Sequence, residues 1–175
     1  RSPSPDITCL ALNSRVNLIA AGGSETSVFL WETAVQHALV ARLGNPITQI
    51  RSLAFSPDGE YLVVASGDHA LRTFRLKDAK LIKTMEGHTS LVRNLVFHPD
   101  GRSLISASFD GSLRVWRFPQ GQLLKTIDLG KTEVFGLAVS PDGLILLHAG
   151  SDQAVNVRRW PSGEALFRLT GHQDT

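Results

Sequence analysis

The stretch "HTSLVRNLVFHPDGRSLISASFDGSLRVW", from His88 to Trp116, contains His88, Ser106 and Asp110. These are the side-chain types of acyl-transfer hydrolysis: a hydroxyl nucleophile, an imidazole base and a carboxylate that orients the base. That chemistry needs the serine exposed on a strained turn beside an oxyanion hole, commonly within G-x-S-x-G. Ser106 instead sits in the middle of the run "SLISAS", and no G-x-S-x-G occurs. No catalytic residue is assigned, and the three side chains need another explanation.

Other candidate chemistry is thinner. "GKT" at Gly130–Thr132 matches the end of a phosphate loop, but Lys125 stands where the loop needs its first glycine. The strand-like "VFGLAV" follows where that motif needs a helix. The histidines are His37, His69, His88, His98, His148 and His172; none lies at ligand spacing from another or from Cys9. Cys9 is the only cysteine, which excludes an intrachain disulfide and fits a reducing compartment. No metal, cofactor or small-molecule substrate is expected.

Composition narrows the partner class. Of the 175 residues, 42% are apolar and 19% charged, with a net charge of +2, the balance of a globular chain. The longest basic run is Arg158-Arg159, so no stripe for direct nucleic-acid binding is indicated. Apolar runs such as "LILLHAG" are too short to span a bilayer, and "RSPSPD" lacks the apolar core of a signal peptide. The expected location is intracellular, in cytoplasm or nucleus. The start without Met and the end at "GHQDT" read as an excised piece of a longer chain.

The elements that position these residues repeat. The turns "FSPDG" (55–59), "FHPDG" (97–101) and "VSPDG" (139–143) place Asp58, Asp100 and Asp142 at 42-residue intervals. Asp68, Asp110 and Asp152 keep the same interval; Trp31, Phe74, Trp116 and Arg158 follow at 43, 42 and 42. Each unit reads as four short strands, in the third "VRNLVF", "SLISAS", "SLRVWRF" and "LLKTID". Pro-Asp-Gly and Asp-Gly supply the turns between them. In the first unit Asn13-Ser14-Arg15 replaces the Pro-Asp-Gly turn. "YLVVA" and "LILL" are apolar on consecutive positions, so each sheet is covered on both faces. Stacked four-stranded antiparallel sheets meet that demand, which predicts an all-β propeller.

Gly87-His88, Pro99-Asp100-Gly101, Ser106, Asp110 and Trp116, with a second Gly-His at Gly171-His172, carry a resemblance to the WD40-repeat family over residues 7–172. The resemblance implies a WD40-type β-propeller with a linker (1–6) and four blades at 7–46, 47–90, 91–132 and 133–175. It also implies a structural tetrad in which Trp116 donates to Ser106, which links through His88 to Asp110. Withdrawn from water, such groups are costly unless mutually bonded. The other units depart from the pattern. The second has Asn45, Val64, Asp68 and Phe74; the fourth has Gly130, His148, Asp152 and Arg158; the first keeps Trp31 but has Ala21 and Glu25. No WD dipeptide occurs.

Family members use one rim of the ring for partners. On this chain the rim positions are Asp6 and Thr8, Gln49 and Arg51, Leu91 and Arg93, and Glu133 and Phe135. Gly67, Phe109 and Ser151 precede the turn aspartates. Arg51, Arg93, Phe109, Glu133 and Phe135 form the candidate partner-binding set, suited to an acidic or phosphorylated peptide. The expected function is a non-catalytic scaffold for protein–protein interaction. The alternatives are a propeller segment attached to a kinase or protease outside this chain, or a chromatin- or replication-associated scaffold. Rings of this family hold seven or eight blades, so four units read as a fragment, as half of a homodimeric ring, or as a closed four-bladed ring. The fragment is favoured because terminal blades would otherwise expose apolar faces.

Overall fold

The structure, a computed structural model, describes residues 6–34, 38–44 and 48–171; His37, Asn45 and His172 lie outside them. The chain divides into two compact units, Arg1–Gly87 and His88–Thr175. Each holds two four-stranded sheets whose strands pair antiparallel in chain order.

In the first unit one sheet comprises β1 (Ile7–Asn13), β2 (Leu18–Gly23), β3 (Ser27–Glu32) and β4 (Leu39–Gly44). The other comprises β5 (Ile50–Phe55), β6 (Tyr61–Ser66), β7 (Leu71–Arg75) and β8 (Lys80–Met85). A single 3₁₀ turn, Leu76–Asp78, precedes β8. The sheets meet through Ala20, Val28, Leu30 and Leu43 on one side and Ile50, Leu53, Leu62, Val64 and Phe74 on the other. Burying each large side chain of this set stabilises by about 1.5–3 kcal/mol. Gly22 lets the sheets close, since a Cβ there would lie 2.6 Å from Ile50 Cγ2.

In the second unit one sheet comprises β9 (Val92–Phe97), β10 (Ser103–Ser108), β11 (Ser112–Arg117) and β12 (Gln122–Asp128). The other comprises β13 (Val134–Val139), β14 (Ile145–Gly150), β15 (Ala154–Arg159) and β16 (Ala165–Thr170). Ile105, Ala107, Leu113, Val115 and Ile127 pack on Val134 and Leu146. His98, in the β9–β10 turn, ties the two sheets: its Nε2–H donates to the Gly143 carbonyl at 2.9 Å. Its ring stacks on Trp160 at 5.1 Å.

Two bulges recur in every sheet. Between the first and second strands, the register skips Thr8, Arg51, Arg93 and Phe135 in turn. Between the third and fourth strands, it skips Val40, Ile82, Leu124 and Leu166. A bulge adds one unpaired residue, twists the strand and re-aims a side chain. On the fourth strands, which are sheet edges, that twist also blunts edge-to-edge pairing.

One face of the first sheet and one face of the fourth carry large exposed apolar side chains. Leu10 and Leu12 are 68% and 66% exposed beside Phe29 and Trp31 on the first sheet, where Arg42 lies over the Phe29 ring. Phe167 and Leu169 are 58% and 54% exposed on the fourth. They share their face with Ala138, Leu147, Ala149 and Val155, with Arg159 at the end of β15 opposite Ile145.

No described helix is long and apolar enough to cross a membrane.

Candidate functional site

His88, Ser106, Asp110 and Trp116 come together in the second unit. The β10–β11 turn closes with Gly111 N–H on the Ser108 carbonyl, and Gly111 takes φ +77°. A side chain there would meet the Gly130 carbonyl, so glycine holds Asp110 at the corner. The Trp116 indole N–H donates to Ser106 Oγ at 2.9 Å. Ser106 Oγ lies 2.7 Å from His88 Nε2, and His88 Nδ1 lies 2.7 Å from Asp110 Oδ2. An indole only donates, so Ser106 Oγ accepts from it; with the His88 Nδ1–H directed at the carboxylate, Nε2 accepts the hydrogen bond of the serine hydroxyl.

Asp110 has further donors. The Ser112 hydroxyl and N–H reach Oδ1 at 2.7 and 3.0 Å, and Thr89 N–H reaches Oδ2 at 3.0 Å. Burial works to raise its pKa, but the bonds from Ser112, His88 and Thr89 outweigh it and hold the carboxyl below the usual range. A Ser–His–Asp chain of this kind has the hydrogen bonds of a hydrolytic triad. Ser106 is nevertheless 0% exposed, with no surface for a substrate carbonyl.

The equivalent turns solve the same problem with other residues. In the second sheet Val64 and Phe74 replace the serine and tryptophan and join the apolar core. Asp68 takes Arg72 in a fork, Nη1 to Oδ1 at 3.0 Å and Nη2 to Oδ2 at 2.6 Å, with the Ser66 hydroxyl on Oδ1 at 2.6 Å. Burial pushes Asp68 upward, but the bonds from Arg72 and Ser66 bring it down to about 2. In the fourth sheet Arg158 Nε donates to His148 Nε2 at 2.9 Å, so His148 carries its proton on Nδ1. That Nδ1 and Asp152 Oδ1 are buried with no hydrogen-bond partner. Burial and the Arg158 charge lower His148 to about 4, against an opposing pull from Asp152. In the first sheet Ala21 and Trp31 lie on the face that carries Leu10 and Leu12. Sequence reasoning passed over Arg72, Ser66 and Ser112; their signals are Ser-x-Asp at Ser66, Arg four residues after Asp68, and Asp-x-Ser at Ser112.

At the rim of the second unit Phe109 and Phe135 pack edge to face at 5.5 Å. Phe109 N–H holds the Leu91 carbonyl at 3.0 Å, and Phe135 is 44% exposed. Arg93 is exposed on β9, and Glu133 is exposed just before β13, the first strand of the facing sheet. Arg51, in the first unit, occupies the matching bulge and is half-buried, with Nε enclosed and unpaired. Among the described residues no cluster of three or more metal-ligating side chains occurs.

Comparison with known proteins agrees with this geometry. The family model described as WD domain, G-beta repeat matches residues 79–117, and that of the anaphase-promoting complex subunit 4 WD40 domain matches residues 10–91. The periodic tryptophan protein 2 homolog of Schizosaccharomyces pombe is 31% identical over 85 residues, 49% of this chain and 10% of that protein. Nuclear distribution protein PAC1-1 of Uncinocarpus reesii is 33% identical over 76 residues, 43% of this chain and 17% of that protein. Ribosome assembly protein 4 of Saccharomyces cerevisiae is 33% identical over 72 residues, 41% of this chain and 14% of that protein. The chain thus matches less than a fifth of each of these relatives' lengths. With four antiparallel four-stranded sheets on one repeat and two family models over overlapping stretches, the chain belongs to the WD40-repeat family.

Proposed function

We propose that the chain is a non-catalytic WD40 platform for protein–protein interaction, and that Arg93, Phe109, Glu133 and Phe135 bind a partner peptide. The observation that carries this reading is the first-strand bulge, which takes Arg93 and Phe135 out of the ladder at the same place in facing sheets. Phe135 stays 44% exposed while the residues around the network of His88 are sealed. Aromatic and arginine side chains held this way make good anchors, and the Arg93 fork suits a carboxylate or phosphate on the peptide. Arg51, on the matching bulge, extends the same logic to the first unit. His88, Ser106, Asp110 and Trp116 then serve as the internal brace of the platform.

The names of the relatives, a ribosome assembly protein and a nuclear distribution protein among them, support a role in assemblies within the cell. The exposed apolar faces of the first and fourth sheets suit further sheets of the same kind, completing a seven- or eight-bladed ring. Fluorescence polarisation with a panel of acidic, phosphorylated and neutral peptides tests the rim. Peptides bound by the wild type should lose at least tenfold in affinity in the Arg93→Ala/Phe135→Ala double variant. Full retention of binding retires the site.

A further inference from the structure

The turn between β15 and β16 carries an exposed hydroxyl, Ser162, three residues after Arg159 and four after Arg158. Arg159 is poorly used: its side chain is 60% exposed, and its only ion pair among the described residues is a 3.6 Å approach to Glu164. The half-buried Lys125, on β12 of the neighbouring sheet, donates its Nζ to the Ser162 carbonyl. A Cβ on Gly163 would lie 3.2 Å from that nitrogen, so the ammonium sits against the turn itself. Arg158 is committed elsewhere, to His148 and to the Gly163 carbonyl.

The repeat shows what an anion does at this position. Ser162 falls 84 residues after Asp78, and Arg159 falls 84 after Arg75. In the β7–β8 turn Asp78 accepts Arg75 in a fork, Nε to Oδ1 at 3.0 Å and Nη2 to Oδ2 at 2.6 Å. The same arginine three residues upstream in the β15–β16 turn faces a neutral serine. In the third sheet the position is Gln120. The fourth sheet alone thus pairs the arginine with a group that can acquire charge.

We propose that Ser162 is a phosphorylation site for an arginine-directed serine/threonine kinase, and that the phosphate closes a clamp with Arg159 and Lys125. Ser162 Oγ attacks the γ-phosphorus of ATP, the bond to ADP breaks, and the hydroxyl proton is released. Arg159 at the third position upstream supplies the charge such kinases select, and the exposed corner presents the hydroxyl. The resulting dianion outcompetes the single charge of Glu164 for the Arg159 fork. Glu164 N–H, now 3.3 Å from Ser162 Oγ, lies within reach of a phosphate oxygen. Because Lys125 belongs to the other sheet of the unit, modification ties β12 to the β15–β16 turn.

The test incubates the full chain with Mg²⁺–ATP and a kinase that selects arginine three residues before serine, and maps the site by tandem mass spectrometry. Phosphate is expected on Ser162, is absent from that position in Ser162→Ala, and enters Arg159→Ala at least tenfold more slowly. The phosphorylated chain should melt about 2–4 °C above its phosphatase-treated form, with a smaller rise in Lys125→Met. A folded chain left unmodified at Ser162, while a synthetic peptide of residues 155–168 is modified, overturns the site. Modification without any change in melting temperature overturns the clamp.

Discussion

His88 Nδ1 stands 2.7 Å from Asp110 Oδ2, with the histidine side chain 0% and the aspartate side chain 7% exposed. Removing the imidazole takes one partner from the Ser106 hydroxyl, which keeps the Trp116 indole, and one from the Asp110 carboxylate, which keeps Ser112 and Thr89. Each partner lost at a buried polar group costs roughly 1–3 kcal/mol. His88→Ala should therefore lower the melting temperature by several degrees, at about 2–4 °C per kcal/mol for a chain of this size. Ser106→Ala should follow in the same direction, since Trp116 N–H and His88 Nε2 both lose their partner. Thermal denaturation followed by circular dichroism reads both; unchanged midpoints would remove the network from the account of stability.

The Asp68–Arg72 fork is expected to depend on geometry as well as charge. Arg72→Lys keeps the cation but offers one point of contact where the guanidinium offers two, and it loses the 2.7 Å bond from Arg72 Nη1 to Ser66 Oγ. A loss of about 1 kcal/mol is expected for a pair this close to solvent. Asp68 is lowered from 3.8 to about 2, so the folded state holds its proton less tightly than the unfolded state. Its contribution is present above pH 3.8 and fades as pH falls toward 2. Acid unfolding of Asp68→Asn should be flatter than wild type across that window.

Strand limits were legible because they depend on local alternation and turn residues: "VRNLVF" and "SLISAS" coincide with β9 and β10, and "SLRVWRF" and "LLKTID" come within one residue of β11 and β12. The repeat likewise located Arg93 and Phe135. It did not show that both are bulge residues, because a bulge is a matter of which amide meets which carbonyl, and no side chain announces it. The second and fourth units read as degenerate for a related reason. An aspartate at a turn needs a donor of some kind: Arg72, on the strand leaving the turn, supplies it to Asp68, and Asn156 supplies it to Asp152 at 2.9 Å, while His148 turns to Arg158. Which donor reaches depends on side-chain length and face, properties of the folded register.

Gly143 and Gly136 make a matched pair of substitutions on one sheet. Gly143 has φ +75°, and a Cβ there would lie 2.5 Å from His98 Nε2, displacing the ring from both the Gly143 carbonyl and Trp160. Gly136 has no positive φ, and its nearest neighbour to an added Cβ is the Ala149 methyl at 3.9 Å. The left-handed backbone alone costs an L residue roughly 1–2 kcal/mol. Gly143→Ala should thus destabilise by at least that much in urea unfolding, with Gly136→Ala within about 0.5 kcal/mol of wild type. Equal effects would mean that neither the left-handed backbone nor the His98 contact opposes a side chain at Gly143.

His148 gives the second unit a pH dependence opposite to that of a histidine gaining an acid partner. It is 3% exposed, and burial together with the Arg158 charge lowers its pKa from 6.5 to about 4. Between those values the unfolded chain binds a proton at this position that the folded chain refuses, so stability rises with pH. The contribution is complete above pH 6.5 and is lost as pH falls to about 4. The slope due to this one group approaches about 1.4 kcal/mol per pH unit, on the order of 3 kcal/mol across the window. His148→Gln keeps an acceptor for Arg158 Nε–H but cannot titrate. Urea unfolding of both proteins through this range, with stability plotted against pH, should therefore show the wild-type curve falling more steeply toward acid. Every other titrating group is shared, so the difference between the two curves isolates His148, and parallel curves would show that its proton is not excluded by the fold.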